Sequence, residues 1–206
     1  MLGWWLIAAL FCFSIIWIRA IKTPPGAKIN TSELLEKANN GDLLFFSGDT
    51  IGERAIKVYT GSCYTHVAFV FRDLDEELSP PAEVAFIWEA DLGQGYRDGA
   101  RVMRMSDKLK RWKGHPVIGW RKSKNRPNKQ SILKFINQNI KLEMDSSMMT
   151  WAFPFLKQPN KVFCSELVAL TLQDLELMDG GTRPSSFSPR DFAEIDGYKK
   201  MVQIHI

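Results

Sequence analysis

Cysteine is scarce in this chain: Cys12, Cys63 and Cys164 are the three among 206 residues. An odd, sparse set excludes a disulfide framework. Histidine is as rare, with His66, His115 and His205, and no CxxC or HxxxH spacing gathers these residues into a metal site. Cys63-x-x-His66 supplies half a site at most. A Gly-rich loop followed by Lys-Ser or Lys-Thr is also missing, which excludes the P-loop route to nucleotide binding. No metal and no cofactor are expected. Charged residues make up 24% and hydrophobic ones 45% of the chain, so it lacks the composition of a disordered tail. No internal repeat is visible.

Charge is absent altogether from residues 2–18 (LGWWLIAALFCFSIIWI). A spanning helix needs about 20 apolar residues, with about 17 as the lower limit. No basic residue precedes the run and no small-x-small site follows it, so a cleaved signal peptide is the poorer reading. Trp4, Trp5 and Trp17 stand near its ends, where interfacial aromatics belong. Residues 1–21 are therefore expected to be an uncleaved transmembrane anchor. Arg19, Lys22 and Lys28 follow the span, which predicts a cytosolic C-terminal domain in a single-pass membrane protein. Residues 22–40 form the expected spacer and capping helix. Thr23-Pro24-Pro25-Gly26 stiffens it, and Asn30 with Glu33 has capping-box-like spacing.

The domain expected at 41–206 mixes helical and strand patterns, as α+β with an antiparallel sheet. Helices are predicted over 34–39, 49–59, 132–140 and 162–177, the last stopped by Gly180-Gly181. Strands are predicted over 43–47, 65–72, 84–89, 101–105, 117–120 and 201–206. The acidic, Pro-containing stretch 73–81 reads as a loop.

Three residues have chemical promise. Cys164 opens the long helix, where free N–H groups and the helix dipole favour a thiolate; a core cysteine is the even alternative. His66 starts a strand, where a neutral imidazole could serve as base to a thiol that the fold brings near; a hydrogen-bonded structural histidine is the commoner alternative. Glu89 ends an apolar strand, where a carboxylate is costly unless paired. Orienting an imidazole would supply that partner, with Asp91, two residues on, as the substitute acid.

Gly41-Asp42-Leu43-Leu44-Phe45, Tyr64-Thr65-His66-Val67-Ala68, Trp88-Glu89-Ala90 and Phe163-Cys164-Ser165-Glu166-Leu167-Val168 run in this order. Together they resemble the YiiX/YaeF-like permuted papain-fold hydrolases, the circularly permuted branch of the NlpC-type cysteine peptidases, which has poxviral members. The resemblance covers about residues 41–175, and FCSELV is its most specific piece. It implies a circularly permuted papain-like fold, a small antiparallel sheet or half-barrel packed on helices. It also implies a Cys–His–Glu triad: Cys164 as nucleophile, His66 as general base, and Glu89 as the group that orients it. Tyr64, Asp42 and Ser165 lie in the same segments and are expected to bind substrate. Thr65 stands where the family usually has Ser, which keeps the hydroxyl. The Asn-Cys-Glu-His of the lecithin:retinol acyltransferase-like branch is absent.

The resulting expectation is a membrane-anchored cysteine hydrolase acting on an amide, ester or thioester. An acyl-lipid hydrolase or acyltransferase on the same triad, and a catalytically silent interaction module, are the alternatives. Finally, residues 108–129 carry nine Lys or Arg and no acid. Beside a bilayer such a stretch attracts anionic headgroups; nucleic acid is the lesser expectation, since no recognition pattern accompanies it. Trp112 and Trp120 in this stretch suit either an interface or the core.

Overall fold

The computed structural model describes residues 27–92, 98–112, 117–145, 147 and 158–205. In chain order these form β1 (Lys28–Asn30), α1 (Thr31–Lys37), β2 (Leu43–Ser47), α2 (Ile51–Thr60), β3 (His66–Asp75), β4 (Ala82–Asp91) and β5 (Gly99–Arg104). There follow α3 (Met105–Arg111), β6 (Val117–Arg121), α4 (Lys129–Asn139), β7 (Glu143–Met144), β8 (Lys161–Val162) and α5 (Cys164–Asp174). A 3-10 turn (Pro184–Ser186), α6 (Pro189–Glu194) and β9 (Val202–His205) close the chain.

The fold is mixed α+β. Seven strands make one sheet in the order β1-β9-β6-β2-β3-β4-β5. All neighbours are antiparallel except the β1–β9 pair, which is parallel. The sheet is larger than the small half-barrel expected, because the chain on both sides of the matched segments adds β1 and β9 to its edge. Helices cover both faces. Leu43, Phe45, Val67, Phe69 and Trp88 pack with Ile132, Leu167 and Leu172 of α4 and α5. Leu44, Phe46, Ala68, Val70 and Ile87 pack with Leu34, Met105 and Leu109 of α1 and α3. Alternate residues of a strand point to opposite faces, so a sheet buried on both sides needs continuous apolar runs. That is why LLFF of β2 is apolar throughout. Each such side chain contributes roughly 1.5–3 kcal/mol when fully buried.

Local signals set several boundaries. Asn30 caps α1 by accepting from the Glu33 N–H at 2.8 Å, while Glu33 pairs with Lys37 instead of closing the box. Thr50 and Glu53 form a full capping box on α2, and Gly61 leaves it in the left-handed region at φ 63°.

Other boundaries differ from the sequence expectation. β3 and β4 run through much of the acidic segment to the Asp75↔Ala82 pair, because buried Asp75 is ion-paired to Arg104 of β5. Met105 begins α3 and does not end β5. Val162 belongs to β8, paired with Met144, so α5 starts at Cys164. It stops at Asp174 and not at the glycines, since Glu176 adopts a left-handed φ of 55° and Leu177 N–H turns back to Leu172 O at 2.8 Å.

The basic stretch is not one solvated face. Lys108 and Arg121 are buried, Arg126 and Lys129 pair with Asp42 and Asp73, and Lys122 lies 4.5 Å over the Trp120 ring. Trp120 is buried, and Trp112 packs edge-on against Phe46; both aromatic rings serve the core. Among the described residues no helix is long and apolar enough to cross a membrane; the anchor expected at 1–21 lies outside the described residues.

Candidate active site

β3 begins and β4 ends at the same end of the sheet, which brings His66 and Glu89 together. His66 Nε2 stands 2.8 Å from Glu89 Oε2, and both residues are buried. The start of β3 is held by its neighbour: Thr65 N–H donates to Phe46 O at 2.9 Å, and Thr65 Oγ1 accepts from Gly48 N–H at 3.0 Å. The hydroxyl retained at position 65 is thus used to fix the strand entry.

Cys164 comes from the opposite direction, as the first residue of α5. Phe163 precedes it in extended conformation, its N–H bonded to the Glu166 carboxylate at 3.3 Å. The Cys164 side chain lines the same cavity as His66, close enough for its sulfur to act on the imidazole. With Nε2 taken by Glu89, Nδ1 is the ring nitrogen left for the thiol.

Glu89 holds more than the imidazole. Its Oε1 accepts from Arg101 Nε at 3.1 Å, Arg101 Nη2 at 2.8 Å and Lys108 Nζ at 3.0 Å. Lys108 Nζ is also 2.8 Å from Oε2. Asp91 Oδ2 accepts from the same two cations, at 2.8 and 2.7 Å, and its Oδ1 accepts from Leu92 N–H. Buried Glu89, half-buried Asp91 and two cations therefore form a charge-balanced cluster behind the imidazole.

The electrostatics follow from this packing. Burial opposes an imidazolium at His66, and Lys108 adds to that opposition. The Cys164 sulfur, through charge and hydrogen bond, and the Glu89 carboxylate outweigh both, and the pKa is raised to about 10. Burial likewise opposes a charged Glu89, yet the His66 hydrogen bond and Lys108 hold it well below the usual carboxylate range. The arrangement favours His66 protonated against the Glu89 carboxylate.

Cys164 and His66 open onto a cavity of about 330 Å³, within the size range of small-ligand sites. Its walls include Ile56, Leu92, Trp112, Met144 and Phe163.

Of the six expected site residues, the structure brings Cys164, His66 and Glu89 together, and Ser165 also lines the cavity. Ser165 Oγ donates to Phe187 O at 2.7 Å, tying α5 to the segment before α6. Tyr64 and Asp42 do not line the cavity. Tyr64 is buried against Phe45 at 5.2 Å. Asp42 is fully buried and accepts from Asn39 N–H, Trp120 Nε1, Ser123 N–H and Arg126; it joins α1, β2 and the end of β6. Cys63 is a buried thiol whose pKa burial pushes up.

Sequence reasoning missed Arg101 and Lys108. Arg101 sits directly opposite Glu89 in the β4–β5 register, a cross-strand charge pair that alignment of the two predicted strands would have shown. Lys108 carried no such signal inside a basic run.

No family model matches the chain, and no curated protein matches it in sequence. Among solved structures, the chain is similar to the metalloprotein yiiX from Escherichia coli O157:H7. The TM-score is 0.55 at 15% identity, with 79% of this chain and 96% of that chain covered. That likeness establishes a YiiX-like fold for the domain.

Proposed function

We propose that this chain is a cysteine hydrolase of the permuted papain (NlpC-type) kind, cleaving an amide, ester or thioester bond through a thioester acyl-enzyme. The observation that carries this reading is a thiol on the first residue of a helix, sharing a cavity wall with an imidazole whose Nε2 rests on a buried carboxylate. Nucleophile, base and orienting acid are the three parts such catalysis needs.

In the mechanism, the Cys164 sulfur, its proton on His66, attacks the substrate carbonyl carbon and forms a C–S bond. The oxyanion lies against the N-terminal N–H groups of α5, including that of Cys164. Collapse breaks the bond to the leaving amine, alcohol or thiol, which takes the proton from the His66 imidazolium. Water then attacks the thioester, giving its proton to His66, and release of the acid restores the thiol. Glu89 keeps the ring oriented and stabilises its charged form throughout.

The related structure is described as a metalloprotein, so the donor set of this chain matters. His66, Glu89 and Asp91 place ligand atoms within 4.8 Å of one another. Arg101 and Lys108 already occupy the carboxylate oxygens that would face an ion. A divalent cation there would have to displace Arg101 and buried Lys108, so these residues do not fit one.

An acyl-lipid hydrolase or acyltransferase is the second reading, favoured by the apolar cavity walls at Ile56, Leu92, Trp112, Met144 and Phe163. In either reading the uncharged run at 2–18 tethers the domain to a membrane, with the domain on the cytosolic side and the bilayer as its partner. The test is a panel of peptide amides, acyl esters and acyl thioesters offered to the full chain in detergent micelles. Turnover of at least one class by the wild type and its loss in Cys164→Ala is expected. No turnover of any class, or equal turnover by the variant, refutes the proposal.

A further inference from the structure

Lys108 is one of nine cations in the stretch 108–129, expected from sequence to face anionic headgroups, yet it is 3% exposed. Lysine is almost never fully buried unless paired, and here the pairing is specific. Its Nζ lies 2.8 Å from Glu89 Oε2, the oxygen that also holds His66 Nε2, and 3.0 Å from Oε1. A third contact, 2.7 Å to Asp91 Oδ2, fixes the ammonium from the other side. The ammonium also faces two aromatic rings, with Nζ 5.2 Å from the Phe46 ring centroid and 5.5 Å from that of Trp112. Phe46 in turn packs against His66 at 5.7 Å. The amine therefore touches the orienting carboxylate and shares an aromatic wall with the oriented ring.

Resting on the proposed Cys–His–Glu chemistry, we propose that Lys108 is a positioning residue of this site: its ammonium pins Glu89 against His66 and so fixes the imidazole that faces Cys164. Arg101 alone would neutralise Glu89 through Oε1, but Lys108 is the cation that also touches the His66-bound oxygen. The titratable and charged groups around His66 are Cys164 of α5, Glu89 and Asp91 of β4, Arg101 of β5 and Lys108 of α3, with Glu53, Arg111 and Asp145 on the same cavity wall. Lys108 acts on the ring electrostatically as well, opposing its positive charge. Its sequence position, one helix beyond β5, lets α3 deliver a charge to the end of β4 without lying on the sheet. Asp91 is then the second anchor that keeps the ammonium in place.

The test compares full-length wild type, Lys108→Met and Lys108→Arg in detergent micelles. The readouts are the His66 imidazole titration by NMR and the rate of Cys164 alkylation by iodoacetamide at pH 7. In Lys108→Met, Arg101 still neutralises Glu89. The His66 midpoint is expected to rise, because a repelling cation is gone, and alkylation to slow about a hundredfold, the scale of a small misplacement of reacting groups. Lys108→Arg is expected to recover most of the alkylation rate. A folded Lys108→Met with wild-type His66 titration and alkylation overturns the proposal. Should Lys108→Met fail to fold, Asp91→Asn serves instead. Asp91 is at the cavity wall, and losing its charge is expected to lower the His66 midpoint and slow alkylation; wild-type values for both overturn the proposal. Absence of Cys164 alkylation in the wild type would defeat the underlying thiol chemistry instead, a distinguishable result.

Discussion

Glu89→Gln removes one charge from the centre of the buried cluster while nearly preserving shape. Glu89 is fully buried and is bonded to His66, Arg101 and Lys108. Removing one partner of a buried ion pair typically costs about 3–5 kcal/mol, because the other charge stays buried and unpaired. Asp91 still bonds both cations, which places the loss near the lower end, about 3 kcal/mol. For a domain of this size 1 kcal/mol moves Tm by about 2–4 °C, so a fall of about 6–12 °C is expected at pH 7. Circular dichroism melts of the full chain in detergent measure it. Glu89 is held below its ordinary value of 4.5, so its contribution is present above that pH and is lost as pH falls below it. The gap between wild type and variant should therefore narrow on acidification. A Tm within about 2 °C of wild type at pH 7, or a gap that widens with acid, would refute this account of the cluster.

His66 gives the opposite sign. Its pKa is raised from 6.5 to about 10, so its contribution is complete below 6.5 and disappears as pH rises to about 10; the Tm of wild type should fall toward that of His66→Gln across this window, and parallel curves would contradict it. Thr171→Val strips the acceptor from buried Trp88 Nε1, now at 3.2 Å, and should lower stability by about 1–3 kcal/mol in urea unfolding; an unchanged midpoint would show that the indole finds another partner. Gly99 has φ +129°, and a Cβ there would lie 2.4 Å from Leu142 O. Gly99→Ala should destabilise by at least about 1 kcal/mol, whereas Gly180→Ala, which meets nothing, should stay within about 0.5 kcal/mol.

Sequence made the sheet core and one end of the site legible, for identifiable reasons. The run Leu43–Ser47 has turn signals on both sides and became β2 with those bounds. Cys164 stood at the opening of an apolar-periodic segment, and α5 begins there. Expectation failed where tertiary pairing overrode local character. Asp75 is buried because Arg104 reaches it from β5, across β4, which turned an expected loop into hairpin. α6 was marked by Ser188, Pro189 and Asp191, an N-cap, a proline at the first turn and a capping partner, yet its six residues carry no periodic stripe. The basic stretch misled most. Charge count along a chain carries no depth, so buried Lys108 and Arg121 looked like their exposed neighbours. Arg121 lies inside because three carbonyls, of Lys199, Phe192 and Ile195, receive it.

The central claim is that Cys164 becomes acylated with help from His66. Acid-quenched intact-mass spectrometry of the full chain, mixed with an activated acyl thioester, tests it most directly. The account predicts one acyl adduct, mapped to the peptide containing Cys164, absent in Cys164→Ser and slowed by orders of magnitude in His66→Gln. An adduct on Cys63, or equal acylation in His66→Gln, would contradict it.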